Sequence, residues 1–290
     1  MCQVLFFQKQ IFLYFINLLP SSKLSSTTYP LQCHLVGSCS GRKNRLRAVF
    51  SFLGISMKLE TIVYIDGYNL YYGSLKKNGG VDYKWLDIYK LFSKILNEQD
   101  PNSEIVKVKY FTAPALGKFA RHGNKSAEAQ QTYHRALKHL YPDLIEIING
   151  SQTCVPKPLP EYNDNIPFDK NKRQWVWVLE EKMTDVEIAL AMYRDALQEN
   201  CKQIVLCSND SDMKPALQAI KSDIPTVIIG IVMPIIPKLK NKKNARRISG
   251  SLDELSHWTR DHILLDELEK SQLPNKIPTN KKPVIRPDHW

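Results

Sequence analysis

From Met57 onward, short apolar runs alternate with stretches of helical period. Residues 61–66 (TIVYID) form an apolar run that ends in a carboxylate. Residues 105–113 (IVKVKYFTA) alternate apolar and basic positions and then turn apolar, while 144–148 (LIEII), 204–207 (IVLC) and 226–232 (TVIIGIV) are further strand-like runs. Between them, apolar residues recur every three to four positions. Leu86, Tyr89, Phe92 and Leu96 share a face in 85–96, as do Tyr133 and Leu137, with Leu140, in 126–140. Residues 184–198 carry Val186, Ile188, Leu190 and Leu197, and 212–221 predicts a shorter helix. Strands separated by helices of this length predict right-handed βαβ units. Near-continuous apolar strands fit a parallel sheet covered on both faces.

Three segments break the alternation. Residues 150–174 are polar and carry Pro156, Pro158, Pro160 and Pro167, which predicts a long insertion loop, with 175–179 (WVWVL) returning as a short edge strand. A last helix is expected over about 252–270, followed by an irregular Pro/Lys tail, 273–290. Residues 1–56 hold six basic residues and no acidic one, so over half of the formal charge of +11 belongs to that segment. Its apolar run, 4–19, is interrupted by Gln8, Lys9, Gln10 and Asn17, too short and too broken for a membrane span. The reading is a leader or a spurious upstream extension (1–56), a main α/β domain (57–250) and a C-terminal helix with its tail (251–290). No CxxC spacing is present among the six cysteines, so neither a zinc site nor a disulfide framework is expected, and a cytoplasmic location is the default.

The acids fall at informative places. Asp66 is the last residue of the first predicted strand and is followed by Gly67 and Asn69. Asp210 and Asp212 directly follow 204–207, and Asp185 opens the helix after Lys182. In an open α/β sheet, ligands bind beyond the carboxyl ends of the strands. Crowded carboxylates raise one another's pKa, and a hard divalent cation removes that cost. All-oxygen donors favour Mg²⁺ or Mn²⁺ over zinc. Such an ion can activate water and stabilise in-line displacement at phosphorus. Singly, each acid has a duller reading as a turn former, N-cap or first-turn residue. Four of them at matching element ends are harder to dismiss.

Three strings carry a resemblance: IDGYNLYYG (65–73), EEKMTDVEIALAMYRDA (180–196) and LCSNDSDMKPAL (206–217). Together they resemble the NYN family of PIN-like nucleases, over about residues 59–230. The resemblance implies an α/β, PIN-like (Rossmann-like) three-layer sandwich with a mostly parallel central sheet. It also implies a Mg²⁺- or Mn²⁺-dependent phosphodiesterase site with RNA as substrate. By position, Asp66, Asp185, Asp210 and Asp212 would be the catalytic and metal-binding acids, with Asn69, Lys182 and Ser208 supporting them. One departure is Met183, where many members carry a small residue, often Gly.

Phosphates require positive charge. Residues 238–247 (KLKNKKNARR) concentrate Lys240, Lys242, Lys243, Arg246 and Arg247. Arg121 and Lys125 precede the helix that carries Arg135. Tyr68 and Tyr71 lie beside the acids, where bases could stack. These residues are the candidate RNA contacts. His134 and His139 are read as surface residues without chemistry, and Trp175 and Trp177 as packing residues. The expectation is a metal-dependent endoribonuclease, without a membrane partner and open to a homo-oligomer or an inhibitory protein partner. Its rivals are a non-catalytic RNA-binding module and another phosphoryl-transfer enzyme, a DNA nuclease or a phosphatase.

Overall fold

The computed structural model describes residues 58–76, 83–162, 164, 167–237 and 249–290. These residues fall in one compact unit, Leu53–Trp290. The leader and the 238–247 basic run lie outside the described residues.

At its centre is a six-stranded sheet. Strand β1 is Leu59–Asp66, β2 Ser103–Thr112, β3 Ile145–Asn149, β6 Gln203–Cys207, β7 Ile228–Val232 and β8 Trp258–Arg260. Their order is β3-β2-β1-β6-β7-β8, and every adjacent pair is parallel. Alternation along β1 sorts its side chains into two cores. Val63 and Ile65 enter one, with Leu91, Phe92 and Ile95 of helix α2 (Ile88–Gln99) and Tyr133 and Leu137 of α3 (Asn124–Leu140). Ile62 and Tyr64 enter the other, with Ile188 and Met192 of α4 (Thr184–Leu197) and Leu217 and Ile220 of α5 (Lys214–Asp223). The predicted three-layer sandwich is therefore present, with helices on both faces. A short helix, α1 (Gly67–Leu70), follows β1 directly and continues as a wider π-type turn through Leu75.

Two expectations are corrected and a third is sharpened. The Pro-rich segment 150–174 is a loop only over its middle, between two strands. Residues Ser151–Pro160 form strand β4, which pairs antiparallel with β5, Arg173–Lys182. Pro156, Pro158 and Pro160 recur every second residue, so their missing N–H groups fall on one edge, the edge away from β5. The expected helix at 252–270 is two short helices, α6 (Gly250–Asp253) and α7 (Leu265–Lys270), with β8 between them. The Trp258 ring lies over Gly230 of β7, where a Cβ would stand 2.1 Å from it. Arg260 of β8 holds Glu267 of α7 at 2.6 Å and Glu98 of α2 at 2.8 Å. The tail is irregular over most of its length, as expected, but it forms a small antiparallel pair, β9 (Lys276–Ile277) with β10 (Val284–Ile285), and buries Leu273, Ile277 and Val284. Trp85 Nε1 donates to the carbonyl of Pro274 at 2.9 Å.

Candidate active site

Strand order sets the site. From β1 the chain passes to β2 on one side, and β6 later takes the other side, which makes the β1/β6 boundary the switch point where ligands bind in such sheets. Asp66 ends β1 there and is 3% exposed. Its carboxylate accepts from the Asn69 backbone N–H at 2.9 Å, from Asn69 Nδ2 at 2.5 Å and from Ser208 Oγ at 3.1 Å. Thus Asp66 caps α1, and the side chain after β6 helps to fix it. Gly67 is required at the turn, because a Cβ would come within 2.6 Å of the Phe111 carbonyl oxygen and 2.9 Å of the Tyr110 ring.

Beyond β6 the backbone winds through its own hydroxyl and carboxylate. The Asp210 N–H donates to Ser208 Oγ at 3.1 Å, and the Asp212 N–H donates to Asp210 Oδ1 at 3.0 Å. Asp185 sits in the first turn of α4. Desolvation, then the charges of Asp66, Asp210 and Asp212, lift its carboxyl to about 6. Asp66 is raised too, by burial first, against the opposing hydrogen bonds of Asn69 and Ser208, and further by Asp210. Asp66, Asp210 and Asp212 therefore all bear on Asp185, and Asp210 bears on Asp66.

Sequence reasoning missed a fifth acid. Glu181 is raised to about 7 by burial, opposed by its bond from Thr184 Oγ1 at 2.6 Å and reinforced by the charges of Asp66 and Asp185. Strand alternation could have separated it from Glu180, which pairs with Lys157. Lys182 also goes to Glu180, at 3.6 Å, and among the described residues it pairs with none of the aspartates.

Met183 explains the departure in the family motif. It precedes α4 with φ 78°, the left-handed region that favours glycine.

Among the described residues, no group of three or more His, Cys, Asp or Glu side chains stands close enough to hold a metal ion. The donors still fit a hard divalent cation. They are oxygen atoms throughout, and among the described residues none of the four aspartates is in an ion pair. Mg²⁺ keeps several waters and is commonly held by one or two carboxylates.

Next to Asp66 lies a cavity of about 380 Å³. Of the predicted RNA contacts it gathers Tyr68, Tyr71 and Arg121. Lys125 and Arg135 are exposed on α3 outside its lining. Lys240, Lys242, Lys243, Arg246 and Arg247 lie outside the described residues. His134 is half-buried in the cavity wall, not a surface residue, and burial, then Lys138, lowers it to about 4. Trp175 and Trp177 are 70% and 60% exposed, so neither belongs to the core. Trp177 instead meets Phe119, ring centroids 5.4 Å apart.

The family model of the NYN domain matches residues 60–249. This chain is a member of the NYN family. The NYN fold is PIN-like, a nuclease-type fold. A relative from Pseudomonas putida (strain DSM 28022 / S16), 6-hydroxy-3-succinoylpyridine 3-monooxygenase HspA, is 37% identical over 251 residues, 81% of this chain and 76% of that protein. A solved structure, a protein of unknown function from Vibrio parahaemolyticus RIMD 2210633, is similar at 17% identity with a TM-score of 0.40, covering 73% of this chain and 95% of that one. Among the described residues, no helix of this NYN-domain chain is long and apolar enough to cross a membrane.

Proposed function

We propose that this NYN protein is a divalent-metal-dependent phosphodiesterase that cleaves RNA. The reading rests on one observation: a buried strand-end aspartate, Asp66, whose neighbours Asp185 and Glu181 are pushed toward neutral pH. Asp66, Asp185, Asp210 and Asp212 would hold Mg²⁺ or Mn²⁺. When bound, such an ion supplies activation of water and offsets charge at phosphorus.

The residues themselves do the rest. Asn69 and Ser208 fix both oxygens of Asp66, so the carboxylate does not rotate to follow solvent. Ser208 also orients the Asp210 turn through the Asp210 N–H. Glu181, raised by burial first and then by the charges of Asp66 and Asp185, is a carboxyl beside these acids that would serve as a proton acceptor or donor. Tyr68 and Tyr71 offer ring faces for bases beside the acids.

The test incubates the full chain with labelled single-stranded RNA or DNA, with Mg²⁺, Mn²⁺ or EDTA. RNA cleavage that disappears with EDTA and in Asp210→Asn is expected. Cleavage that survives both, or binding without cleavage, overturns the proposal, and turnover of DNA alone or of a phosphomonoester points to the rival enzymes.

A second reading follows the name of the Pseudomonas relative: oxidation of a hydroxylated pyridine. It is favoured by 37% identity across most of the chain. Substrate-dependent oxygen consumption with 6-hydroxy-3-succinoylpyridine and a reduced nicotinamide, in place of RNA cleavage, is the outcome that would establish it.

A further inference from the structure

The geometry points to the cavity beside Asp66 as a binding site for a small planar aromatic anion, a one- or two-ring molecule bearing a phosphate or carboxylate. Its size suits such a ligand: about 380 Å³ lies at the small end of the range for small-molecule sites. Its walls are ring faces and edges from five separate parts of the chain, including Tyr71, Tyr110, Phe119, Tyr133 and Trp290. Tyr110 stands edge-on to Tyr133 at 6.4 Å, and Trp290 lies 5.7 Å from Tyr133, so the walls are braced against one another before any ligand arrives. Preformed aromatic walls favour a flat ring.

Among the described residues, the charged side chains of the lining are Lys76, Lys84 and Arg121, with Asp288 next to the lining residue His289. Among the described residues Arg121 forms no ion pair and is exposed at the rim. Its guanidinium is the geometry that grips a carboxylate or phosphate at two points. Lys76 Nζ lies 4.9 Å from the Tyr72 ring centroid and 5.9 Å from that of Tyr71, so positive charge stands beside ring faces in the same lining.

Two unanswered atoms complete the argument. Among the described residues, the Nε2 atoms of His134 and His289 are buried without a hydrogen-bond partner, and both residues line this cavity. Buried polar atoms left unsatisfied are costly, and a ligand with polar ring substituents answers them. His289 is lowered by desolvation and then by His122, Lys84 and Lys125, which reports the same positive surroundings from an independent group.

The site shares Tyr68 and Tyr71 with the phosphodiesterase reading but needs no metal, so a test in EDTA separates the two. The shared chemistry has two sources, a nucleoside monophosphate or an aromatic acid. Titration calorimetry on the full chain in EDTA uses 5′-AMP and pyridine-3-carboxylate, with adenosine and pyridine-3-carboxamide as uncharged counterparts. Binding of at least one anion, at least tenfold tighter than its counterpart, is expected, and the anion that binds names the source. Arg121→Gln, an exposed position that leaves folding intact, should weaken that binding at least tenfold. His289→Phe should do so independently, and Lys202→Gln, at the far end of the sheet, should change nothing. No binding at millimolar ligand, equal affinity for the uncharged counterparts, or unchanged binding in both cavity variants overturns the assignment. Loss of RNA cleavage in the metal assay does not touch it.

Discussion

Asp185 is exposed, yet its carboxyl rises to about 6 through desolvation and the charges of Asp66, Asp210 and Asp212. An acid raised on folding favours the folded state at pH below its ordinary value, and that contribution is lost as pH climbs through about 6. Asp185→Asn is therefore expected to abolish cleavage while stabilising the metal-free protein at pH 8. Water and salt screen an exposed group, so the gain is held to about 0.5 kcal/mol. At pH 4, where Asp185 is largely neutral in the parent, thermal melting should show almost no difference. Added Mg²⁺ should stabilise the parent and not the variant. Met183 makes a second prediction. A methionine at φ 78° carries backbone strain, and 57% of it is exposed, so little packing holds it there. Met183→Gly should raise stability by about 1 kcal/mol in urea unfolding.

At the scale of elements, a buried pair joins β2 to α4. Lys109 Nζ meets Asp195 Oδ2 at 2.6 Å, and Tyr64 of β1 donates to the same oxygen at 2.6 Å. Burial alone would raise Asp195, but the bonds from Lys109, Tyr64 and Asn200 and the lysine charge outweigh it and hold its carboxyl below the ordinary value. Its stabilisation is thus complete above the ordinary carboxylate range and is lost as pH falls through the lowered value. Lys109→Met strands a buried charge and should cost about 3–5 kcal/mol in chemical denaturation at pH 7, with much of the loss recovered when Asp195 is made apolar as well. The strand pattern in 105–113 already showed Lys109 among apolar neighbours, but nothing local paired it with an acid 86 positions away. The helix at 126–140 and the strand at 61–66 were legible because both show their period within a few residues. The Pro-rich β4 was not, since prolines read as loop until a partner strand reveals that all of them share one free edge.

Across the whole molecule, the C-terminal segment closes what the first strand begins. Trp290 packs on Trp85 at 6.4 Å and on Tyr133 at 5.7 Å, and it walls the cavity that starts at Gly67. Trp290→Ala should lower stability by about 2 kcal/mol, less than for a fully buried ring because Trp290 is half-exposed. It should also weaken aromatic-anion binding while leaving metal-dependent RNA cleavage intact. Calorimetry and a cleavage assay on one preparation would check both.

The amino-acid sequence determined the alternation of strands and helices, the placement of Asp66, Asp185, Asp210 and Asp212 at element ends, and membership of the NYN family, because periodicity and motif spacing are written locally. Tertiary structure alone decided that β6 lies beside β1, that Glu181 joins the acids, that β8 extends the sheet where a helix was expected, and that rings from distant segments enclose a positively lined cavity. These depend on strand order and on which side of the sheet each crossover takes. Both are settled by burying two apolar faces at once, a condition no short stretch of chain can state by itself.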